Sequence, residues 1–200
     1  MQLGESFYTK SALYVAKNLI GKKLVRRVND NKVLVSRIVE TEAYIGPEDK
    51  ACHAYNNKRT NRTENMFLEG GLAYIYLIYG LHHCLNVVTG PIDKPEAVLI
   101  RAVEPLEGKE IMKYNRKVNI SDIKKLTNGP GKLCQALQID MSLNGYNLVN
   151  GTALYITEDK GNQVNLDIAA AKRINIDYAQ EYKDNLWRFY LKGNKFVSLL

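Results

Sequence analysis

Apolar residues recur at helical spacing near the start of the chain. Leu13, Ala16, Leu19 and Ile20 follow a 3.6-residue repeat and Gly21 is placed to end it, which predicts a helix over residues 11–19. The pattern then changes. Residues 23–28 and 32–41 read as two strands joined at the turn Asn29-Asp30-Asn31. Residues 72–78 and 84–89 read as a second hairpin, with Tyr79-Gly80-Leu81-His82 protruding at its tip, and residues 97–103 as a further strand. Helices are predicted over residues 106–116, 121–126 and 131–137, and short strands at 153–157, 188–191 and 196–199. Residues 45–71 are polar and broken by Gly and Pro, and a loop of that length in a compact domain is usually functional. The strands do not alternate regularly with helices. That argues against a doubly wound parallel sheet and predicts an α+β fold with a mainly antiparallel sheet.

A length of 200 residues fits one domain, 1–200, with a core that needs no metal staple. The 46% hydrophobic and 24% charged residues exclude disordered and disulfide-dense classes. The longest apolar run, 73–81, falls far short of the ~20 residues of a membrane span, and the first residues lack the pattern of a secretory signal. The expected location is the cytoplasm, or the nucleoid of a bacterium. A net charge of +7 suits an anionic partner, nucleic acid or a membrane surface. Cys52, Cys84 and Cys134 cannot all pair within the chain and form no CxxC, so reduced, half-buried thiols are expected.

Four places carry candidate chemistry. Strict alternation along the second strand puts Leu34, Ser36, Ile38, Glu40 and Glu42 on one face, with Tyr44 beyond them. Such an acidic end could flank a substrate beside an aromatic platform, or simply reach solvent. In the second hairpin Tyr74 and Tyr76 share one face while Ala73, Ile75 and Leu77 share the other. Tyrosines offer a flat face to a base, Tyr79 at the tip could wedge into a duplex, and Lys58, Arg59, Arg62, His82 and His83 surround them with basic groups. Arg101 lies inside the apolar run AVLIRAV, so either Glu42 or Glu40 faces it or the strand is an exposed edge. Asn128-Gly-Pro-Gly-Lys132 opens a helix whose free N–H groups suit a phosphate, though an ordinary helix start reads the same, and the spacing is not that of a P-loop. Cys52-His53 and His82-His83-Cys84 could supply metal ligands, but neither HExxH nor the zinc-deaminase pattern occurs, and no metal is expected.

Read together, Arg37-IVETEAYIGPEDKACHA-Tyr55, AYIYLIYGLHHCLNVV, AVLIRAVEPLEG, NGPGKLCQAL and WRFYLKG resemble the alkyladenine (3-methyladenine) DNA glycosylase family of the monofunctional type, from about residue 5 to 198. The resemblance implies a compact fold around a curved, largely antiparallel, barrel-like sheet flanked by helices. It implies an enzyme that flips alkylated or deaminated purines from double-stranded DNA and hydrolyses their bond to the sugar, without cofactor, as a monomer. Glu42 matches the general base and Arg101 the residue that helps hold the water, together with a backbone carbonyl at Val197. Tyr44, His53 and Tyr76 match the residues that sandwich the base; Tyr74 supports them, and Asn86 lines the pocket floor. Tyr79 matches the intercalating wedge. Lys58, Arg59, Arg62, His82 and Lys132 are candidate contacts to the DNA backbone. The loop before the hairpin, often proline-bearing in the family, reads Asn65-Met-Phe-Leu-Glu-Gly-Gly71 here. A non-catalytic binder of distorted duplex is the alternative from another class, with an RNA-modifying hydrolase as a third; a binder has no use for a carboxylate facing the sugar.

Overall fold

A computed structural model of the protein describes residues 1–117, 122–159 and 166–198. The elements run α1 (Glu5–Tyr8), α2 (Ala12–Leu19), β1 (Lys23–Asn29), β2 (Lys32–Ile45), β3 (Ala73–Ile78), β4 (His82–Thr89), β5 (Glu96–Glu107), α3 (Lys109–Arg116), α4 (Pro130–Leu137), β6 (Leu154–Thr157), β7 (Ile168–Ala171) and β8 (Arg188–Leu191). The fold is α+β. One antiparallel sheet has the order β3-β4-β5-β2-β1-β6, and β8 pairs with both β2 and β7. β3 and β6 end the path, so the sheet is not closed, consistent with the expected α+β fold around a curved, mainly antiparallel sheet.

The helices cover one side of the sheet. Ser11 caps α2 by accepting from the Tyr14 N–H, and Ala12, Val15, Ala16 and Leu19 face inward at the spacing that predicts the helix. They join the main core with Leu34 and Ile38 of β2, Ile75 of β3, Val98 and Ile100 of β5, Met112 of α3 and Leu133 of α4. A second apolar cluster holds Cys52, Ala54, Met66, Phe67, Tyr74, Val88 and Ala97, with Tyr44 and Tyr76 packed against it. Alternation along β3 divides its side chains between the two clusters as expected: Ala73 and Ile75 in the first, Tyr74 and Tyr76 in the second.

Several expectations are corrected. The run 106–116 is not all helix: β5 continues to Glu107, and α3 starts after Gly108, whose φ of 77° turns the chain. Residues 123–126 form a 3-10 turn, and Ser121 lies outside the described residues. Residues 196–198 are not a strand, because the Val197 N–H closes a turn onto the Asn194 carbonyl; Leu199 lies outside the described residues. The short strand β7 has no clear alternation in IAAA and was not expected.

The correction with most consequence is in β2. Ile38 pairs with Val103 and Thr41 with Ile100, yet between them Glu40 pairs with Ala102. Val39 on β2 and Arg101 on β5 are therefore each an extra residue, a bulge on either strand. The bulge breaks the strict alternation. Leu34 and Ile38 lie in the main core and Thr41 donates to the Ala16 carbonyl of α2, while Val39 packs with Ala102, Phe196 and Val197. Glu40 and Glu42 thus do not share a face with Ile38; they meet Arg101 instead.

Candidate active site

A cavity of about 360 Å³ opens beside the second cluster. β2 contributes Tyr44, β3 Tyr74 and Tyr76, β4 His82, Cys84 and Asn86, and β5 Leu99 and Arg101. The long loop brings His53 and Arg62, the tip of the hairpin Tyr79, and the chain after β7 brings Ile174, Asn175 and Tyr178. The size and the mainly apolar wall with a few converging polar groups suit a small aromatic ligand.

Glu42 stands behind this wall and is fully buried. Its Oε2 accepts from the Tyr44 hydroxyl at 2.8 Å and pairs with Arg101 Nη1 at 3.2 Å; its Oε1 accepts from the Ile174 N–H at 2.8 Å. All three partners line the cavity. A carboxylate offers about four acceptor positions, so one on Oε1 stays available. Arg101 also lies 3.5 Å from Glu40 Oε1, so both carboxylates left open by the sequence face it. Burial alone would lower the Arg101 guanidinium, but Glu42 and then Glu40 offset this and hold it above its ordinary value. Glu40 accepts in turn from Arg188 at 2.9 Å and from the Ser198 N–H at 2.7 Å. This last bond brings the Val197–Ser198 peptide, which contains the predicted carbonyl, to the neighbouring carboxylate.

The aromatic walls are held by hydrogen bonds. His53 Nδ1 lies 2.8 Å from the Tyr74 hydroxyl and its Nε2 lies 3.3 Å from Arg62. A guanidinium can only donate, so Nε2 accepts and the Nδ1–H donates to Tyr74. Burial, and then the charge of Arg62, push the His53 pKa down to about 4, which keeps the ring neutral. The His53 and Tyr76 rings meet edge-on, 4.6 Å between centroids. Burial raises the hydroxyl of Tyr74 to about 12 and that of Tyr76 further, so both stay protonated near neutral pH. The Asn86 amide nitrogen donates to the Tyr74 carbonyl at 3.1 Å, which fixes the amide across the hairpin.

The predicted basic and wedge residues separate into groups. Tyr79 is 83% exposed at the hairpin tip, with a φ of 53°. Arg62 and His82 reach the cavity; His82 packs so tightly on Gly131 that an added Cβ there would come within 3.0 Å of it. Lys58 is exposed, whereas Arg59 is held by Glu64 and Asp93. Lys132 donates to Asn128 at 2.8 Å. Among the described residues no group of three or more His, Cys, Asp or Glu could hold a metal ion, and no helix is long and apolar enough to cross a membrane.

The sequence reading missed Arg173, Asp49 and Arg188. The logic applied to Arg101, a guanidinium inside an apolar run, would have found Arg188 in WRFYL. Nothing in the sequence pairs Arg173 with Asp49, 124 positions away.

The sequence model of the methylpurine-DNA glycosylase family matches residues 6–195. A protein of Natranaerobius thermophilus is 55% identical over 199 residues, covering all of both chains. Relatives in Desulfitobacterium hafniense and Clostridium perfringens are 52% and 49% identical over 204 residues, covering 99% of this chain and 98% and 99% of their own. All three bear the name "Putative 3-methyladenine DNA glycosylase". A match over nearly the whole chain, with the buried carboxylate and aromatic cavity that its motifs build, places the protein in the methylpurine-DNA glycosylase family, DNA-repair hydrolases of N-glycosyl bonds.

Proposed function

We propose that the protein is a monofunctional glycosylase that takes an alkylated or deaminated purine out of duplex DNA and hydrolyses its N-glycosidic bond with a water activated by Glu42. The observation that carries this reading is the Glu42 carboxylate, buried and held by Tyr44, Arg101 and the Ile174 N–H, immediately behind the wall of an aromatic cavity. The extruded base would stack among Tyr44, His53 and Tyr76, with Tyr79 filling the gap in the duplex. As the bond breaks, its electron pair leaves with the purine and positive charge grows on the sugar. Glu42 stabilises that charge and takes the proton of the water whose oxygen bonds to C1′. The products are free base and an intact strand with an abasic site. A methylated purine carries positive charge before cleavage and departs neutral, which makes it the better leaving group. Arg62, Lys58 and His82 would meet backbone phosphates without reading sequence.

Base release from duplexes carrying 3-methyladenine or hypoxanthine, with chelator present, tests the reading. Wild type should release base and leave an uncut abasic strand, and Glu42→Gln should lose about 10²–10⁴-fold in rate while still binding the duplex. Binding without release by the wild type, across a panel of lesions, would replace the enzyme with a damage-binding protein.

A further inference from the structure

Arg173 and Asp49 form an ion pair with no exposed side-chain surface. Arg173 Nη1 reaches Asp49 Oδ2 at 2.5 Å and Nη2 reaches Oδ1 at 2.8 Å, the two-pronged geometry only a guanidinium provides. Neither group touches the cavity, and the reaction described above gives them no task. Burying two charges is costly and seldom stabilises a fold relative to apolar residues. The pair's position suggests why it is there.

Each end is tied to a different part of the site. Asp49 accepts from the Ile45 N–H at the end of β2 and from the Ala51 N–H, in the loop that carries His53. Arg173 donates to the Ala43 carbonyl of β2 and to the Tyr182 carbonyl, and its guanidinium lies over the rings of Tyr44 and Trp187. The next peptide is the one whose N–H donates to Glu42 Oε1. The pair therefore joins three segments: the strand end bearing Glu42 and Tyr44, the loop bearing His53, and the strap bearing Ile174.

We infer that Arg173 and Asp49 are positioning residues for base excision, which together hold the Ile174 N–H on Glu42 and the Tyr44 ring in the cavity wall. This rests on the reading of Glu42 as general base. An N–H donated to a carboxylate favours its ionised form, and a strap moved by a fraction of a hydrogen-bond length would no longer hold the Ile174 N–H on Glu42 Oε1. The groups facing Glu42 are Arg101 from β5, Tyr44 from β2, Cys84 from β4, and Arg173 and Tyr178 from the strap; Glu40 shares Arg101 with it. Arg101 and Tyr44 keep their bonds to Glu42 when only the strap shifts.

The test is the pH profile of single-turnover base release by wild type, Arg173→Lys and Asp49→Asn, each assayed well below its melting temperature. Lysine keeps the charge of Arg173 and loses the fork; asparagine keeps the shape of Asp49 and loses the charge, so the test survives if one variant does not fold. In either variant the acid limb should move to higher pH by about one unit, and the rate at the wild-type midpoint should fall about fivefold. Variants that melt earlier but keep the wild-type acid limb would overturn the inference and leave a purely structural pair. A wild type that releases no base would instead overturn the reading of Glu42, and this inference with it.

Discussion

Arg173 lies over the Tyr44 ring at 4.8 Å and Arg62 over the Tyr76 ring at 4.9 Å, so both aromatic walls of the cavity carry a guanidinium. Arg173 is buried, bound through both terminal nitrogens to Asp49 and to two backbone carbonyls. Arg62 is exposed, and among the described residues its contacts are the Tyr76 face, the neutral His53 ring and the Tyr74 hydroxyl, with no carboxylate. A cation on an aromatic face gains about 0.5–1 kcal/mol in water and about 2 or more when desolvated. The same contact thus builds the molecule on one wall and is weakly held on the other. A weakly held cation at the cavity edge is free to change partners; a buried one is not.

Removing each guanidinium should expose the difference. Arg173→Ala leaves Asp49 buried without its partner, and urea melts should show a loss of about 3–5 kcal/mol. A loss under 1 kcal/mol would mean that water reaches the pair and that the two walls are alike. His53 sits on the Arg62 side. Its pKa of about 4 lies below the ordinary 6.5, so the unfolded chain binds the extra proton first as the pH falls. Its contribution to stability is intact above pH 6.5 and declines toward pH 4, on the order of 2–3 kcal/mol after solvent screening. His53→Asn should flatten that part of the stability–pH curve; an unchanged curve would place the decline elsewhere. The smallest effect belongs to Arg62→Ala: stability within about 0.5 kcal/mol of wild type, and a salt dependence of DNA binding shallower by about one unit. A salt slope equal to wild type would remove Arg62 from the phosphate contacts.

The two walls also differ in how far the sequence discloses them. Tyr74, Tyr76 and Asn86 stand on a hairpin whose alternation is regular and whose partners are near in the chain, so their shared face could be read directly. The Tyr44 wall depends on long-range closure. Arg173 is 124 positions from Asp49, and the Ser198 N–H is 158 from Glu40. No periodicity encodes such pairs. The bulges are equally silent, because Val39 and Arg101 look like ordinary members of their strands until both strands are laid side by side. Residue type and resemblance single out Glu42, Tyr44 and Arg101 all the same, and the structure brings the three together, although strict alternation along the second strand does not hold at its end.

Those two bulges behave as a dislocation and its opposite in a crystal. Val39 slips the ladder by one step, Arg101 slips it back, and Ile38 with Val103 keeps the same register as Thr41 with Ile100. The misfit between them is confined to a few residues; a separate one-residue shift lies further along the same pair of strands, between Val35 and Ser36. The compensated pair turns Glu40, Glu42 and Arg101 toward one another while Ile38 and Ile100, on either side of it, stay in the main core. The three charged groups thus sit inside the defect, and the strands flanking it return to one register.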